Sequence, residues 1–308
     1  MTEEKGTLRD ILELGRFPFL FGGLLLYVLG VLISGEMGYE IDLIRAVFGY
    51  LVFMPAHLSV SYSNDLFDLE ADKFNEGSPF SGGSGVLQRR PELKKAALII
   101  SISLIVVSTM LSIVFTIAYS ISPLFIGLVV LGSLLGWFYT APPLKLSYRG
   151  LGEISTAATV GVLVPMYGFI ASSGTLDPSL LFLLFPMALS GFVFILNVQT
   201  PDLEADLKGG KNTWVMILGR KGSLTVIFFL VLFQTVYYGT LSVLSPEMNG
   251  LSIVPFFLVS LIPLLLSVPC IIWRSADKDR STRIVTANML SLFIFNGGLD
   301  IYFLINVL

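Results

Sequence analysis

Nine apolar stretches, each about 20 residues long, restrict this chain to one kind of solvent. They cover residues 17–34, 43–63, 96–119, 122–140, 151–172, 180–200, 223–245, 251–273 and 284–308. In lipid the backbone must satisfy its own hydrogen bonds, so a run of that length is a helix. The runs are too long for strands and show no period-2 alternation. Composition agrees. Only 13% of the 308 residues are charged and mean hydropathy is +0.82, against roughly 25% charged residues in a soluble domain. The expected fold class is an all-α integral membrane protein with nine transmembrane helices, one domain over residues 1–308. Interior prolines such as Pro165, Pro186 and Pro263 do not disturb this reading, because neighbouring helices can satisfy the freed carbonyls.

Orientation follows from the basic residues. With the N-terminus in the cytoplasm and nine alternating crossings, all 19 Lys and Arg residues except Arg45 fall on the cytoplasmic side. The inner connections, 64–95, 141–150, 201–222 and 274–283, are long and polar; the outer ones are short. The chain reads as a multi-pass cell-membrane protein. Its N-terminal segment, 1–16, lacks the basic start and cleavage site of a signal peptide. That segment is either a short amphipathic surface helix, with Leu8, Ile11, Leu12 and Phe17 on one side, or a frayed tail. The single cysteine, Cys270, cannot form an internal disulfide. No basic domain or recognition motif suggests nucleic acid, and no protein partner is evident.

Within this apolar background one pentapeptide occurs twice. Asp68-Leu69-Glu70-Ala71-Asp72 follows the second run, and Asp202-Leu203-Glu204-Ala205-Asp206 follows the sixth. Both copies lie on the inner side, in the loops 64–95 and 201–222. If the helix continues, Asn64, Asp68 and Asp72 share a face, bordered by Asp65, and Asp202 and Asp206 form a matching pair. Glu70 and Glu204 point elsewhere, into solvent. Like charges four residues apart repel, and a cation would relieve them. Oxygen ligands without a His or Cys cluster select a hard ion, and Mg²⁺ takes one or two carboxylates together with substrate phosphates. A lone D-x-x-x-D is ordinarily a helix cap; two copies on one membrane face favour the metal.

Basic residues share that face: Lys73, Arg89, Arg90, Lys94, Lys95, Lys145, Arg149, Lys208 and Lys211. Some serve the positive-inside rule and lipid headgroups, and others are candidates to clamp phosphate. The segment from Tyr139 to Lys145, with its double proline, places a phenol and an ammonium at the inner rim. The Gly/Ser stretch 78–87 is either a lid over the site or plain linker. Polar residues inside the runs are functional suspects. Asn197 and Gln199 precede Asp202 by about a turn or less. His57 lies two turns above Asn64. Asn288 and Asn296 also fall in the last run, and Asp300 is expected to pair structurally with another helix.

The stretch NDLFDLEAD resembles the N-D-x-x-D-x-x-x-D motif of the UbiA superfamily of intramembrane prenyltransferases. PDLEADLKGGKNTWVMILGRK resembles that family's second aspartate motif with its Gly-Lys-x-Thr and Leu-Gly-Arg continuation. The resemblance covers nearly the whole chain. It implies a helical bundle around a central cavity, and two Mg²⁺ ions holding an isoprenyl diphosphate. Asn64, Asp68 and Asp72 would serve the first motif, with Asp65 nearby, and Asp202 and Asp206 the second. Tyr139 and Lys145 would contact the diphosphate, with Asn197 lining the same cavity. Leu69 stands where many ubiquinone-pathway members carry Arg, and the second motif is closer to the menaquinone and homogentisate branches.

The implied reaction is Mg²⁺-dependent transfer of an isoprenyl group, through an allylic cation, to an aromatic quinone precursor within the membrane. The implied partners are an isoprenyl diphosphate, the acceptor and the bilayer. Transfer to a glyceryl phosphate lipid precursor, or a non-enzymatic membrane carrier, stand as alternatives. The acidic motifs lie at one membrane face, whereas a carrier's sites lie near the midplane.

Overall fold

The computed structural model describes residues 2–74 and 83–307. Residues 78–82 of the Gly/Ser stretch therefore lie outside the described residues. The described chain is helical apart from a two-residue antiparallel ladder between Glu247–Met248 and Leu251–Ser252.

In chain order the principal helices are α1 (Thr2–Leu14), α2 (Leu20–Glu36), α3 (Leu43–Phe67), α4 (Lys94–Ala118) and α5 (Leu124–Thr140). They are followed by α6 (Gly152–Ser173), α7 (Leu180–Gln199), α8 (Leu203–Lys208), α9 (Trp214–Leu244), α10 (Val254–Ile272) and α11 (Lys278–Val307). Among the described residues eight segments are long and apolar enough to cross a membrane. The expected span 122–140 is realised as α5, an apolar helix of 17 residues that falls below that length.

Two boundaries differ from expectation in ways that matter for function. The second span does not stop at residue 63. It runs to Phe67 and so carries Asn64 and Asp65 on the helix itself. It begins on a cap, Asp42, whose carboxylate accepts from Ile44 N at 2.8 Å and Arg45 N at 3.1 Å. The N-terminal segment is not frayed. α1 is fastened by the Tyr62 hydroxyl, which donates to the Ile11 carbonyl at 3.1 Å, and by the pairs Arg89–Glu13 and Arg90–Asp10. Leu14 is buried, while Leu8, Leu12 and Phe17 stay exposed, so the face that docks is a narrower one than the sequence suggests.

Side-chain packing holds the bundle in a solvent that supplies no hydrophobic force between helices. α3 lies along α4, where Ser101 Oγ donates to Ser59 O at 2.9 Å and Ser108 Oγ to Val52 O at 2.6 Å. The largest core cluster joins α2, α3, α5, α6 and the C-terminal half of α11 through Tyr27, Phe53, Phe125, Phe169 and Phe295. Apolar side chains such as Ile44, Ile117, Leu265 and Ile305 are exposed on the outside, as a lipid-facing surface requires.

Candidate active site

The first pentapeptide begins where α3 ends. Asp68 N bonds to Asn64 O and Asp72 N bonds to Asp68 O, each at 2.8 Å. The chain thus keeps helical spacing through a turn, although the helix stops at Phe67 and Asp72 opens a short 3-10 turn. Asn64, Asp68 and Asp72 all line one cavity as a result. Asn64 is held by Thr140, whose hydroxyl donates to Asn64 Oδ1 at 2.9 Å.

The second copy starts at Asp202, the residue before α8, and Asp206 N bonds to Asp202 O at 2.8 Å. Gly209 and Gly210 follow. A Cβ at Gly209 would stand 2.6 Å from the Ala71 methyl, so the absence of a side chain lets the two copies touch. Gly210 turns the chain in the left-handed region, φ 73°. Lys211 then folds back, its N bonding to Asp206 O at 3.0 Å.

The result is a single ammonium between two motifs. Lys211 Nζ lies 3.0 Å from Asp68 Oδ2 and 3.6 Å from Asp206 Oδ1. The other oxygen of Asp68 accepts from the Tyr148 hydroxyl at 2.9 Å. Asp65 is spent differently: both its oxygens accept from Ser84 N, at 3.2 and 3.0 Å, and it also takes the Ser84 hydroxyl. It therefore anchors the chain re-entering after the first motif.

Five carboxylates, Asp65, Asp68, Asp72, Asp202 and Asp206, line the cavity with two cations, Lys211 and Arg16. The imbalance is visible in their protonation. Burial pushes the Asp72 carboxyl up to about 7, and Asp68 adds to the rise while Lys211 opposes it. Burial pushes Asp206 up to about 7 as well, against the pull of Lys211. Burial alone would lower the Lys211 ammonium, but Asp68 and Asp206 more than reverse this and raise it. Among the described residues no three His, Cys, Asp or Glu side chains converge to hold a metal by themselves. The donors present fit a hard cation that takes one or two carboxylates and completes its shell from phosphate and water.

Beyond this acidic end the cavity, about 520 Å³, runs inward between α2, α3, α5, α6, α7 and α11. Tyr139, His57, Gln199 and Asn296 line it. Thr156 lines it as well. His57 stacks on Phe53 with ring centres 5.3 Å apart, and its Nδ1 has no partner.

Several expected residues are placed elsewhere. Lys145 does not line the cavity: its ammonium sits 4.8 Å over the Tyr148 ring, one side chain removed from Asp68. Its backbone is left-handed, φ 46°, which turns the side chain onto that ring. Asn197 is buried and does not line the cavity, and neither amide atom has a partner among the described residues. Gln199 takes the lining position instead. Asn288 donates to Cys270 Sγ at 3.1 Å. Asp300 is buried and finds no hydrogen-bond partner on another helix among the described residues.

Glu70 is exposed and pairs with Lys73, but Glu204 is not simply solvated. It grips both terminal nitrogens of the buried Arg220, whose Nε donates to Thr200 O at 3.1 Å and Nη2 to Pro201 O at 3.3 Å. Gly219, at φ 63°, interrupts α9 just before that arginine. Sequence reasoning named Lys211 only as one of nine basic residues on the inner face, and missed Arg16, Tyr148 and Arg220 as parts of the site. For Lys211 and Arg220 a signal was present, the Gly-Gly-Lys and Leu-Gly-Arg that follow the second copy; for Tyr148 none was.

The UbiA prenyltransferase family matches residues 18–296. Over 102 residues the chain is 28% identical to 1,4-dihydroxy-2-naphthoate octaprenyltransferase of Bacillus subtilis, covering 33% of this chain and 32% of that one. Over 170 residues it is 30% identical to UbiA prenyltransferase domain-containing protein 1 of Dictyostelium discoideum, covering 55% and 48%. The matched segments thus span about a third and about half of those relatives' length. Among solved structures, digeranylgeranylglyceryl phosphate synthase superposes with TM-score 0.68 at 19% identity, covering 96% of this chain and 97% of that one. A UbiA homologue from Archaeoglobus fulgidus bound to GPP and Mg²⁺ gives 0.66 at 16%, covering 94% and 99%.

Proposed function

Because this chain belongs to the UbiA prenyltransferase family, we propose that it transfers an isoprenyl group from its diphosphate to an aromatic quinone precursor at the acidic end of the cavity. The carrying observation is the convergence of both pentapeptides on Lys211, at the polar end of an otherwise apolar cavity. Membership of a family of transferases favours the enzyme over the carrier.

Asp68, Asp72, Asp202 and Asp206, with Asn64, would hold two Mg²⁺; when bound, these ions neutralise the diphosphate and weaken its bond to the allylic carbon. The A. fulgidus homologue supports this reading by what it binds. The chain's own residues do the rest. Lys211 and Arg16 face the charge that gathers on the departing diphosphate, and Tyr139 lies at the same level. The carbon–oxygen bond breaks with its electron pair leaving on diphosphate. The apolar walls then keep water from the allylic cation, and an aromatic carbon of the acceptor supplies the new bond, releasing a proton to regain its aromaticity.

The naphthoate relative supports an aromatic acceptor. Nine crossings with a cytoplasmic N-terminus are part of the proposal. They are supported by α5: Ser122, two residues before it, donates its N–H to Gly174 O at one end, while Thr140 reaches Asn64 at the other. On that topology the acidic end is cytoplasmic.

The test is product formation by the purified protein with labelled isoprenyl diphosphate and a panel of acceptors, with and without chelator. The panel holds dihydroxynaphthoate, 4-hydroxybenzoate, homogentisate and a glyceryl phosphate ether lipid. Mg²⁺-dependent prenylation of an aromatic member is expected. Exclusive use of the glyceryl phosphate would replace the acceptor, and absence of both binding and turnover of the diphosphate would defeat the reading.

A further inference from the structure

Glu153, the second residue of α6, does not line the cavity, yet its side chain is fully buried. A buried carboxyl needs a partner, and Glu153 finds one on another helix. Its Oε1 accepts from Trp214 N at 2.8 Å. Trp214 opens α9, and the first N–H groups of a helix have no acceptor within it. Thr213 caps the same end, but its hydroxyl oxygen accepts from Met216 N, at 3.4 Å, and leaves the Trp214 N–H to Glu153. A carboxyl group at that position also meets the positive end of the helix dipole. A second bond runs beside the first: Trp214 Nε1 donates to Gly150 O at 3.1 Å. Residues 150–153 therefore hold residue 214 by its backbone and by its ring.

The same short segment reaches the first acidic motif. Tyr148, two residues before Gly150, donates its hydroxyl to Asp68 Oδ1 at 2.9 Å. Trp214 in turn lies three residues after Lys211, whose ammonium is 3.0 Å from Asp68 Oδ2. The contacts close on themselves. They run from Asp68 to Tyr148, along the chain to Glu153, across to Trp214, back along the chain to Lys211 and again to Asp68. Within this circuit the placement of Lys211 is weakly determined from upstream. Gly209 and Gly210 precede it and restrict the backbone little, and residues 211–213 belong to neither α8 nor α9. Lys211 N does bond to Asp206 O at 3.0 Å. Downstream, the fixed point is the start of α9, and that start is what Glu153 holds.

We propose that Glu153 is a positioning residue for Lys211. By holding the first N–H of α9 it fixes segment 211–213 and keeps the Lys211 ammonium between Asp68 and Asp206, facing the departing diphosphate. This role rests on the prenyl-transfer reading above and adds a residue to it. Glu153 does not line the cavity, so its effect on turnover passes through Lys211. A misplacement of about 1 Å at a reacting centre can cost about a hundred-fold in rate, and here the loss is bounded by what removal of Lys211 itself would cause.

Two measurements on the full chain in lipid nanodiscs test this. In the first, kcat/KM for one isoprenyl diphosphate is compared for Glu153→Met, which removes the acceptor and keeps the bulk, and Glu153→Gln, which retains an acceptor. Each is made in the wild-type and in the Lys211→Gln background. Glu153→Met should lower kcat/KM about ten-fold in the wild-type background, and Glu153→Gln by no more than about two- or three-fold. In the Lys211→Gln background Glu153→Met should cost less than about two-fold, because residues that act through one another are not additive. Equal losses in the two backgrounds, equal losses for Met and Gln, or no loss for Met would each overturn the role. Should Glu153→Met not fold, Trp214→Phe removes the bond to Gly150 O alone. It should cost about three-fold in the wild-type background and nothing once Lys211 is gone, and equal losses there would overturn the role in the same way. In the second measurement, amide hydrogen exchange is followed over residues 209–217 without substrate. Glu153→Met should speed exchange about ten-fold or more by local opening, and Glu153→Gln should not; unchanged exchange in Glu153→Met would overturn the hold on α9. If the wild-type protein turns over no isoprenyl diphosphate while exchange responds as expected, the prenyl-transfer reading has failed and the hold of Glu153 on α9 stands.

Discussion

The two pentapeptides are identical in sequence and different in structure. In the first copy Asp68 is the buried member that meets Lys211, and Glu70 stands in the open beside Lys73. In the second copy the last residue, Asp206, meets Lys211, and the middle Glu204 is drawn onto the buried Arg220. The first copy trails off a long helix through a turn, while the second opens a short helix of its own. Five residues therefore fix a spacing of carboxylates and no more. Which carboxylate faces the partner copy is decided by the downstream chain: a double glycine and lysine after the second copy, and the return to Ser84 after the first.

Metal removal asks whether the copies act together, and it should have the greatest effect of all. Chelation should end turnover, and added Mg²⁺ should restore it. Persistence of full activity in chelator would separate the acidic clusters from the chemistry. Next, Asp68→Asn and Asp206→Asn should each lower kcat by about a hundred- to thousand-fold, the range seen when one transition-state stabiliser is removed. The double variant should be scarcely worse than either single one, since groups that act as a unit are not additive. Multiplicative losses would show two independent sites.

The lysines give a finer contrast. Lys211→Gln should lower kcat/KM by about ten- to a hundred-fold, because it leaves Asp68 and Asp206 facing each other and removes a charge from the leaving group's surroundings. Lys145→Gln should change it by no more than about two- or three-fold, since that ammonium rests on the Tyr148 ring, outside the cavity. The reverse order would restore Lys145 to the diphosphate. Steady-state kinetics of both variants with one diphosphate decide it.

These contrasts show how far a sequence of this kind is legible. The apolar runs located the helices because lipid permits no other spanning structure for them. The repeated carboxylates pointed to the candidate site because charged residues are rare in this chain, and both copies line one cavity. Lys211 was only one basic residue of many on its face; a turn at Gly210 and a close approach at Gly209 single it out, and neither is a matter of composition. Lys145 fits the expected motif yet is rotated off the cavity by its own backbone.

The two glutamates should give the mildest effects. Glu70→Gln should leave stability unchanged, because an exposed pair with Lys73 contributes little. Glu204→Gln should destabilise by about 1–2 kcal/mol, less than a fully buried pair would give, since Glu204 is half exposed while Arg220 keeps its two carbonyl partners. The hydrogen bonds from Arg220 hold the Glu204 carboxyl below its ordinary value of 4.5. A depressed folded value means the contribution is present above that ordinary value and is lost as pH falls through the depressed one. The gap between wild type and Glu204→Gln should therefore be full at neutral pH and close in acid. Thermal unfolding of the two proteins in detergent from neutral to acidic pH measures it; no gap at neutral pH would mean that Arg220 is held by the Thr200 and Pro201 carbonyls alone, and a gap that persists unchanged in acid would mean that the loss does not come from the Glu204 charge. The functional companion is a modest rise in KM for the diphosphate, because Arg220 ties Thr200 and Pro201 to the helix beyond and so sets where Asp202 begins the second motif. No such rise is expected for Glu70→Gln, whose copy is held from the other side, by Asp65 and Ser84.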